Sequence, residues 1–545
     1  MTSHNRMTIE DKETIKDEKK IMGKKVTGAF YPRLPREVTS IYVFLLLTIY
    51  PLFLKNKYYD IGNAKWQFFF FLTVGVGAVL AGCLIIHFIG ELKPHELGKA
   101  IRSIRLSIID RFVLAYAASV LISTALSPYK EQVIWGYDGW YMGFVSQMCF
   151  VLLYFCVSRY WRWERSTVIG GLTAAFFVFL LAVLMRFRID PLSLYKGIEE
   201  QYIINFLSTI GQATWYSSYM VILFPPGLFA FWFYDNKYVR IFGGIFTAVG
   251  FMTLVTQNSD SSYIAFGLLI FVLFWISLES GRKFRRFLEV MMICFGCFKF
   301  IGICQQLFPE RAVTLDAVSW YCAQSSFTWI VLIITVIVYL CFCWLEKYRQ
   351  IDISKIKNIR IAFLALLLIG MAGVVVYICL NTTNRLPERM RSSSQYLRFD
   401  EYWGNNRGSS WMMAAKSFLK GDIVRKIFGC GPDGFSIFVQ SFFQEELALK
   451  WGNSAILSCA HNEWLNALVN LGIAGAVFYA GIFVSAICRF FRKSKEHPEL
   501  TAVALSAICY MGHNFFCYQQ IVCTPTIFIL LGIGESIIRY GKTGK

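Results

Sequence analysis

Charge is scarce in this chain. Only 16% of its 545 residues are Asp, Glu, Lys or Arg, against roughly a quarter in soluble domains. That excludes an ordinary water-soluble globule. Segments of about ten residues with alternating polarity are missing too, which excludes a membrane β-barrel. The first 37 residues are polar and lysine-rich without an apolar core, so they are not a cleavable signal peptide. The 16 cysteines form no framework. Cys294 and Cys297 of "CFGC" have redox or metal spacing, but they lie inside an apolar run with no second pair of that spacing. Small apolar filling is expected there, because metal sites need a fuller ligand set. No Gly-Lys-Ser/Thr phosphate loop and no internal repeat is present, and histidine occurs only six times.

What the chain does have is apolar length. Hydrophobic residues make up 56% and aromatic residues 17%, and mean hydropathy is +0.49. A membrane-crossing helix needs about 20 mostly apolar residues. Fourteen candidate segments are found, from about 38–54 to about 519–538. The backbone must satisfy itself in lipid, so the expected fold is an all-α polytopic integral membrane protein of about 14 transmembrane helices.

The net charge of +19 does not imply a nucleic-acid partner. Most of the Lys and Arg residues fall in alternate loops, including "SGRKFRRF" and "RFFRKSK", as the positive-inside rule requires. Both termini are therefore expected in the cytoplasm, with the tail 1–37 near membrane lipid. Transmembrane helices 1–11 are expected within 38–380 and 12–14 within 460–538, followed by a cytoplasmic C-terminus at 539–545. Residues 381–459 form a large, partly helical extracytoplasmic loop. It holds ten Lys and Arg against seven Asp and Glu, opposing the general bias. An anionic substrate at the outer surface would explain that charge, and connections this long are usually functional.

Three constellations lie in and beside that loop. In "NNRGSSWMMAAKSFLKGD", Trp411, Met412, Ala415, Phe418 and Leu419 recur at helical spacing, which predicts an amphipathic helix at the interface. Ser409 or Ser410 is its expected cap and Gly421 its end. Arg407 stands at its entrance, and arginine is the usual bidentate partner of phosphate. "FGCGPDGF" predicts a tight turn whose N–H groups can face an anion. "AHNEWLNALVNLGIAG" places His461 at the outer end of the twelfth segment, where Gly472 and Gly475 allow close packing. Histidine suits proton transfer near neutral pH. Its ordinary alternative is a hydrogen-bonded interfacial residue. His513 in "GHNFF" reads as structural. Asp260 in "TQNSDSSYIAF" reads first as a helix cap, with a place in a polar cavity as the alternative.

The order of these pieces over about residues 405–485 resembles the O-antigen ligase and polymerase superfamily (WaaL/Wzy type). Weaker echoes occur at "GWYMGF" and "STIGQATWYSSYM". The resemblance implies a membrane glycosyltransferase that moves a glycan from undecaprenyl diphosphate to an acceptor hydroxyl on a glycan, lipid or protein. It implies His461 and Arg407 as the catalytic pair. Arg398, Trp411, Gly431, Asp433, Asn462, Glu463 and Asp260 are the candidate substrate contacts beside them. It also implies no metal and no soluble cofactor. One departure stands out: the chain has "SDSS" where many family members have Ser-Arg, so Asp260 replaces an expected second cation. Arg385, Arg389, Arg391 and Arg398 are the candidates to supply it. A transporter or flippase of lipid-linked oligosaccharide is the alternative function.

Overall fold

The computed structural model describes residues 33–91, 105–349 and 357–542. The rest of the expected N-terminal tail, the loops 92–104 and 350–356, and residues 543–545 lie outside the described residues. The fold is helical. The one strand pairing described joins Phe206–Leu207 to Gly211–Gln212.

Each of the fourteen expected segments is occupied by a helix. They are α1 (Arg33–Leu52), α2 (Ile61–Glu91), α3 (Ile108–Leu126), α5 (Phe144–Tyr160), α6 (Arg165–Met185), α7 (Ala213–Phe233), α8 (Lys237–Thr256), α9 (Ser261–Ser277), α10 (Gly281–Leu307), α12 (Ser326–Arg349), α13 (Lys357–Thr382), α17 (Glu463–Lys493), α18 (Leu500–His513) and α19 (Thr524–Tyr540). Short helices α4 (Lys130–Trp135) and α11 (Ala317–Gln324) lie between them. Helices α14 (Trp403–Lys420), α15 (Ile423–Phe428) and α16 (Phe435–Trp451) fill the large loop. Among the described residues, nine helices are long and apolar enough to cross a membrane: α2, α3, α6, α7, α8, α10, α12, α13 and α17. Shorter apolar helices are α5, α9 and α18.

The helices differ sharply in how much protein surrounds them. Of the most apolar window of α7, 89% is buried, against 6% for α12 and 0% for α13. Helix α7 is thus the centre of the bundle. The exposed Ile, Leu and Val of α12 and α13 face where lipid would lie, because lipid tails are as apolar as those side chains.

Buried helices in lipid must complete every backbone bond, and this chain does so with side chains. Pro226 has no N–H to give Ile222 O; the Ser506 hydroxyl on α18 donates to it instead, at 2.7 Å. Lys65 Nζ donates to Tyr50 O and Pro51 O at the end of α1. Lys299, an isolated charge in an apolar run, donates to Ala323 O (2.8 Å) and Ser325 O (3.2 Å), fastening the turn between α11 and α12. Helix α10 begins at Gly281, well before the expected position near 290. The Ser280 hydroxyl accepts from Lys283 N, and the basic first turn is neutralised by Asp235, Glu279 and Glu346.

Helix α3 runs along α17, and α5 along α19. One ionic cluster joins these four helices at the end of the bundle away from His461. Buried Asp110 accepts from Arg159 (2.8 Å), Arg539 (2.6 Å) and the Tyr154 hydroxyl (2.9 Å). Buried Glu535 accepts from Arg489 (2.8 Å) and pairs with Arg539 (3.0 Å). Removing one partner of a buried pair leaves uncompensated charge. Asp110→Ala is expected to destabilise the bundle by about 3 kcal/mol. The check is a lowered thermal midpoint of the purified protein in detergent.

Candidate active site at one end of the bundle

The site is built on a broken helix. Inside α17, Gly472 adopts φ 68, ψ −173 and interrupts the helical run. The break frees carbonyls in the preceding turn. The Cys430 N–H donates to Val469 O at 3.0 Å and the Gly431 N–H to Asn470 O at 2.9 Å. The Ser123 hydroxyl also donates to Asn470 O, at 2.9 Å. The glycine turn therefore docks into the helix. A Cβ on Gly429 (φ 78) would sit 2.2 Å from Asn470 O, and one on Gly472 would sit 2.3 Å from Ile427 O. Gly472 allows the expected close approach, and does so as a break in the helix. One expectation is corrected: the N–H of Gly431 faces a carbonyl rather than an anion.

Asp433 follows in the same turn and is buried. Its Oδ2 accepts from the N–H groups of Tyr137 (2.7 Å) and Met142 (3.1 Å). Burial pushes its pKa up to about 6, against the effect of those two bonds. The carboxylate thus braces the "GWYMGF" segment and sets Trp140 against Tyr518, with ring centroids 4.5 Å apart. Tyr518 in turn meets the His461 ring edge-to-face at 5.3 Å. Asp433 and Glu463 both line a small enclosed cavity of about 20 Å³ with Gln147, Gln519 and Tyr479. Neither His461 nor Arg407 lines it.

His461 immediately precedes α17 in a left-handed conformation, φ 50. Asn462 caps the helix, its Oδ1 accepting from Trp464 N (3.0 Å) and Leu465 N (3.1 Å). The Glu463 N–H donates to Asn514 O at 2.8 Å, and Glu463 Oε2 accepts from Gln519 N at 2.7 Å. These bonds lock the start of α17 to the α18–α19 connection that carries Tyr518. Asn462 and Glu463, expected as substrate contacts, are thus bonded into the frame that aims His461. No protein group among the described residues hydrogen-bonds an imidazole nitrogen of His461. Burial, and then nearby Arg407, lower its pKa to about 4.

Arg407 reaches the same place from α14. Gly404, Asn405 and Asn406 are all left-handed (φ 58, 63 and 66), residue types that tolerate this backbone. Arg407 then enters the regular helix, its Nη1 donating to Gly404 O at 3.1 Å. It stands within electrostatic reach of His461, Tyr396, Cys517 and Tyr518. Trp411 packs on Trp403 (4.9 Å) and Phe516 (5.8 Å), forming an aromatic wall beside it.

Helix α14 differs from expectation in its buried face. Ser410, Met413, Ala414 and Ser417 are inside, while Leu419 is exposed. Met413 and Ala414 share a core with Phe435, Phe438 and Val439 of α16. Small side chains permit that close approach, so the helix packs on protein along this face. Ser409 and Ser410 lie within the helix and do not cap it.

His513 is fully buried, with Nε2 2.9 Å from Ser217 Oγ and 3.0 Å from Ser261 Oγ. Its ring thus joins the "YSS" and "SDSS" stretches across three helices, a structural arrangement. Asp260 makes no capping bond; it accepts the Tyr396 hydroxyl from the outer loop. Arg398 is exposed, with Nε 3.9 Å from Asp400. Arg391 is occupied by Leu386 O and Asn384 O. Cys430 and Cys459 are both free thiols.

Residues 311–480 match the O-antigen ligase family model. This segment is similar to the O-antigen ligase domain. No curated protein matches the chain. The domain contains Arg407, the glycine turn, His461 and the break at Gly472. Asp260, Ser217, Trp140 and Tyr518 lie outside it, yet they touch or surround its site. Sequence reasoning did not single out Tyr518, Trp140 or Tyr396 as individual residues. The "GWYMGF" and "STIGQATWYSSYM" echoes pointed to the neighbourhoods that supply Trp140 and Ser217.

The break at Gly472 gives a direct test. Gly472→Ala imposes left-handed backbone on a residue with a Cβ, at about 1–2 kcal/mol, and pushes that Cβ into Ile427 O. A lowered thermal midpoint together with loss of glycan product is expected.

Proposed function

We propose that this protein transfers a glycan from undecaprenyl diphosphate to an acceptor hydroxyl at the outer face of the cytoplasmic membrane. The reading rests on one observation: Arg407 and His461, 54 positions apart in sequence, come within electrostatic reach of each other, and no protein group among the described residues hydrogen-bonds the histidine nitrogens. On this reading the acceptor oxygen bonds to the anomeric carbon as that carbon's bond to the diphosphate oxygen breaks. His461 takes the hydroxyl proton. The diphosphate leaves with the bonding electron pair, and Arg407 stabilises its growing charge. The activated bond is already in the lipid, so no soluble cofactor and no metal is required. Fourteen membrane crossings with both termini in the cytoplasm would place residues 381–459 outside, where donor and acceptor meet. The acceptor is a glycan, as in a polymerase, or a lipid or protein, as in a ligase. The candidate site residues gather at one end of the bundle rather than at mid-depth, which disfavours the transporter alternative.

His461→Ala and Arg407→Ala are expected to lower transfer by about 100-fold or more while the protein still enters the membrane. Polysaccharide of wild-type length and amount in either variant would sink the mechanism.

The lowered pKa of His461 sets a pH window. Its neutral base form is complete well above pH 4 and is lost as pH falls through about 4. As far as His461 governs it, kcat/KM is expected to stay flat from pH 6 to pH 8. A break near 6.5 that persists in variants of the other titratable groups would contradict the lowered histidine pKa.

A further inference from the structure

Asp260 carries a charge that the proposed reaction does not use. Its Oδ2 accepts the Tyr396 hydroxyl. Its Oδ1 is buried with no hydrogen-bond partner among the described residues. A second carboxylate, Asp316, feels the field of Asp260. Asn258 ties the two acidic turns together, accepting from Asp316 N (3.0 Å) and donating to Thr314 O (2.8 Å). Arg407 also acts on Tyr396. The tyrosine hydroxyl thus contacts a carboxylate and feels a guanidinium.

That polarity sorts the parts of a lipid-linked glycan. Phosphates are drawn to Arg407 and repelled by the acidic wall. A sugar hydroxyl, or an ammonium on an amino sugar, has the opposite preference, because its hydrogen bond to a carboxylate is charge-assisted. A buried acceptor left without a partner costs free energy, and a ligand donor would remove that cost. Tyr396 presents the same O–H chemistry as a sugar hydroxyl. Its backbone is held apart from that bond: Trp403 Nε1 donates to Tyr396 O (3.2 Å) and Asn381 Nδ2 to Leu397 O (2.9 Å). Only the side chain has to move to free Asp260.

We infer that Asp260 is a subsite for a proton-donating substituent of the glycan, hydroxyl or ammonium, and that the Tyr396 hydroxyl occupies it until the glycan arrives. This rests on the transferase reading above.

The probe is the diphosphate-lipid-linked glycan that accumulates in membranes of cells lacking this protein. It is titrated against the purified full-length enzyme in detergent. Asp260→Asn keeps the shape and removes the charge, so the KM for donor rises about tenfold with little change in kcat. Asp260→Glu keeps the charge and stays closer to wild type. Tyr396→Phe removes the competing hydroxyl, so KM falls, by about threefold. The two effects have opposite signs. If both variants raise KM, the pair merely fastens the loop and the inference is overturned; unchanged KM in both overturns it equally. Acetylating amines on the donor separates the two chemistries: wild-type KM rises if an ammonium is bound and holds if a hydroxyl is. Wild-type enzyme that leaves the donor unconsumed overturns the transferase reading itself.

Discussion

The union between the broken helix α17 and the glycine turn is the constraint on which the site depends. A continuous α17 would carry the chain straight from cap to far end with no place for the turn. The break at Gly472 exposes carbonyls, and two N–H groups of the turn fill them. In an apolar surrounding those carbonyls need partners, so the turn is held with little freedom. The turn then delivers Asp433 to the "GWYMGF" backbone, and that segment delivers Trp140 to Tyr518. Four separated parts of the chain thus converge behind one histidine.

The electrostatics of the site follow from this framing. His461 is half-buried beside a fixed cation, and both conditions favour its neutral form. A neutral imidazole with free nitrogens can accept a proton. The same guanidinium that lowers the histidine pKa is suited to a diphosphate, so one charge serves both requirements. Asp260, on the far side of Tyr396, limits how far that positive field extends. The loop as a whole is basic, but the site inside it has two signs.

The bundle supports this arrangement by the same rule throughout. Polar and charged side chains inside it are placed where the backbone or another charge needs them: Ser506 at a proline gap, Lys299 at a helix turn, Asp110 among three helix ends. The far ionic cluster ties α3 and α17 together at the end opposite the glycine turn. The helix carrying His461 is therefore clamped at both ends.

The sequence by itself determined the helical membrane class and where the long apolar helices lie, and it singled out Arg407 and His461 as candidates. Apolar length and charge asymmetry are one-dimensional properties, and the ligase-type motifs are local. Tertiary structure decided what the glycines, carboxylates and second-rank residues do. Gly431 and Asp433 read as substrate contacts because a turn shows only that N–H groups and a carboxylate are present; the atoms they bond, Asn470 O for Gly431 and the N–H groups of Tyr137 and Met142 for Asp433, belong to distant segments. Asp260 read as a cap because it precedes a helix, and only the packing of the loop showed that Tyr396 binds it. The buried face of α14 differed because small residues, Ala414 and Ser417, carry little weight in apolar periodicity yet allow the closest approach. Hydrogen-bond partners and close approaches are decided between distant segments, and no local pattern encodes them.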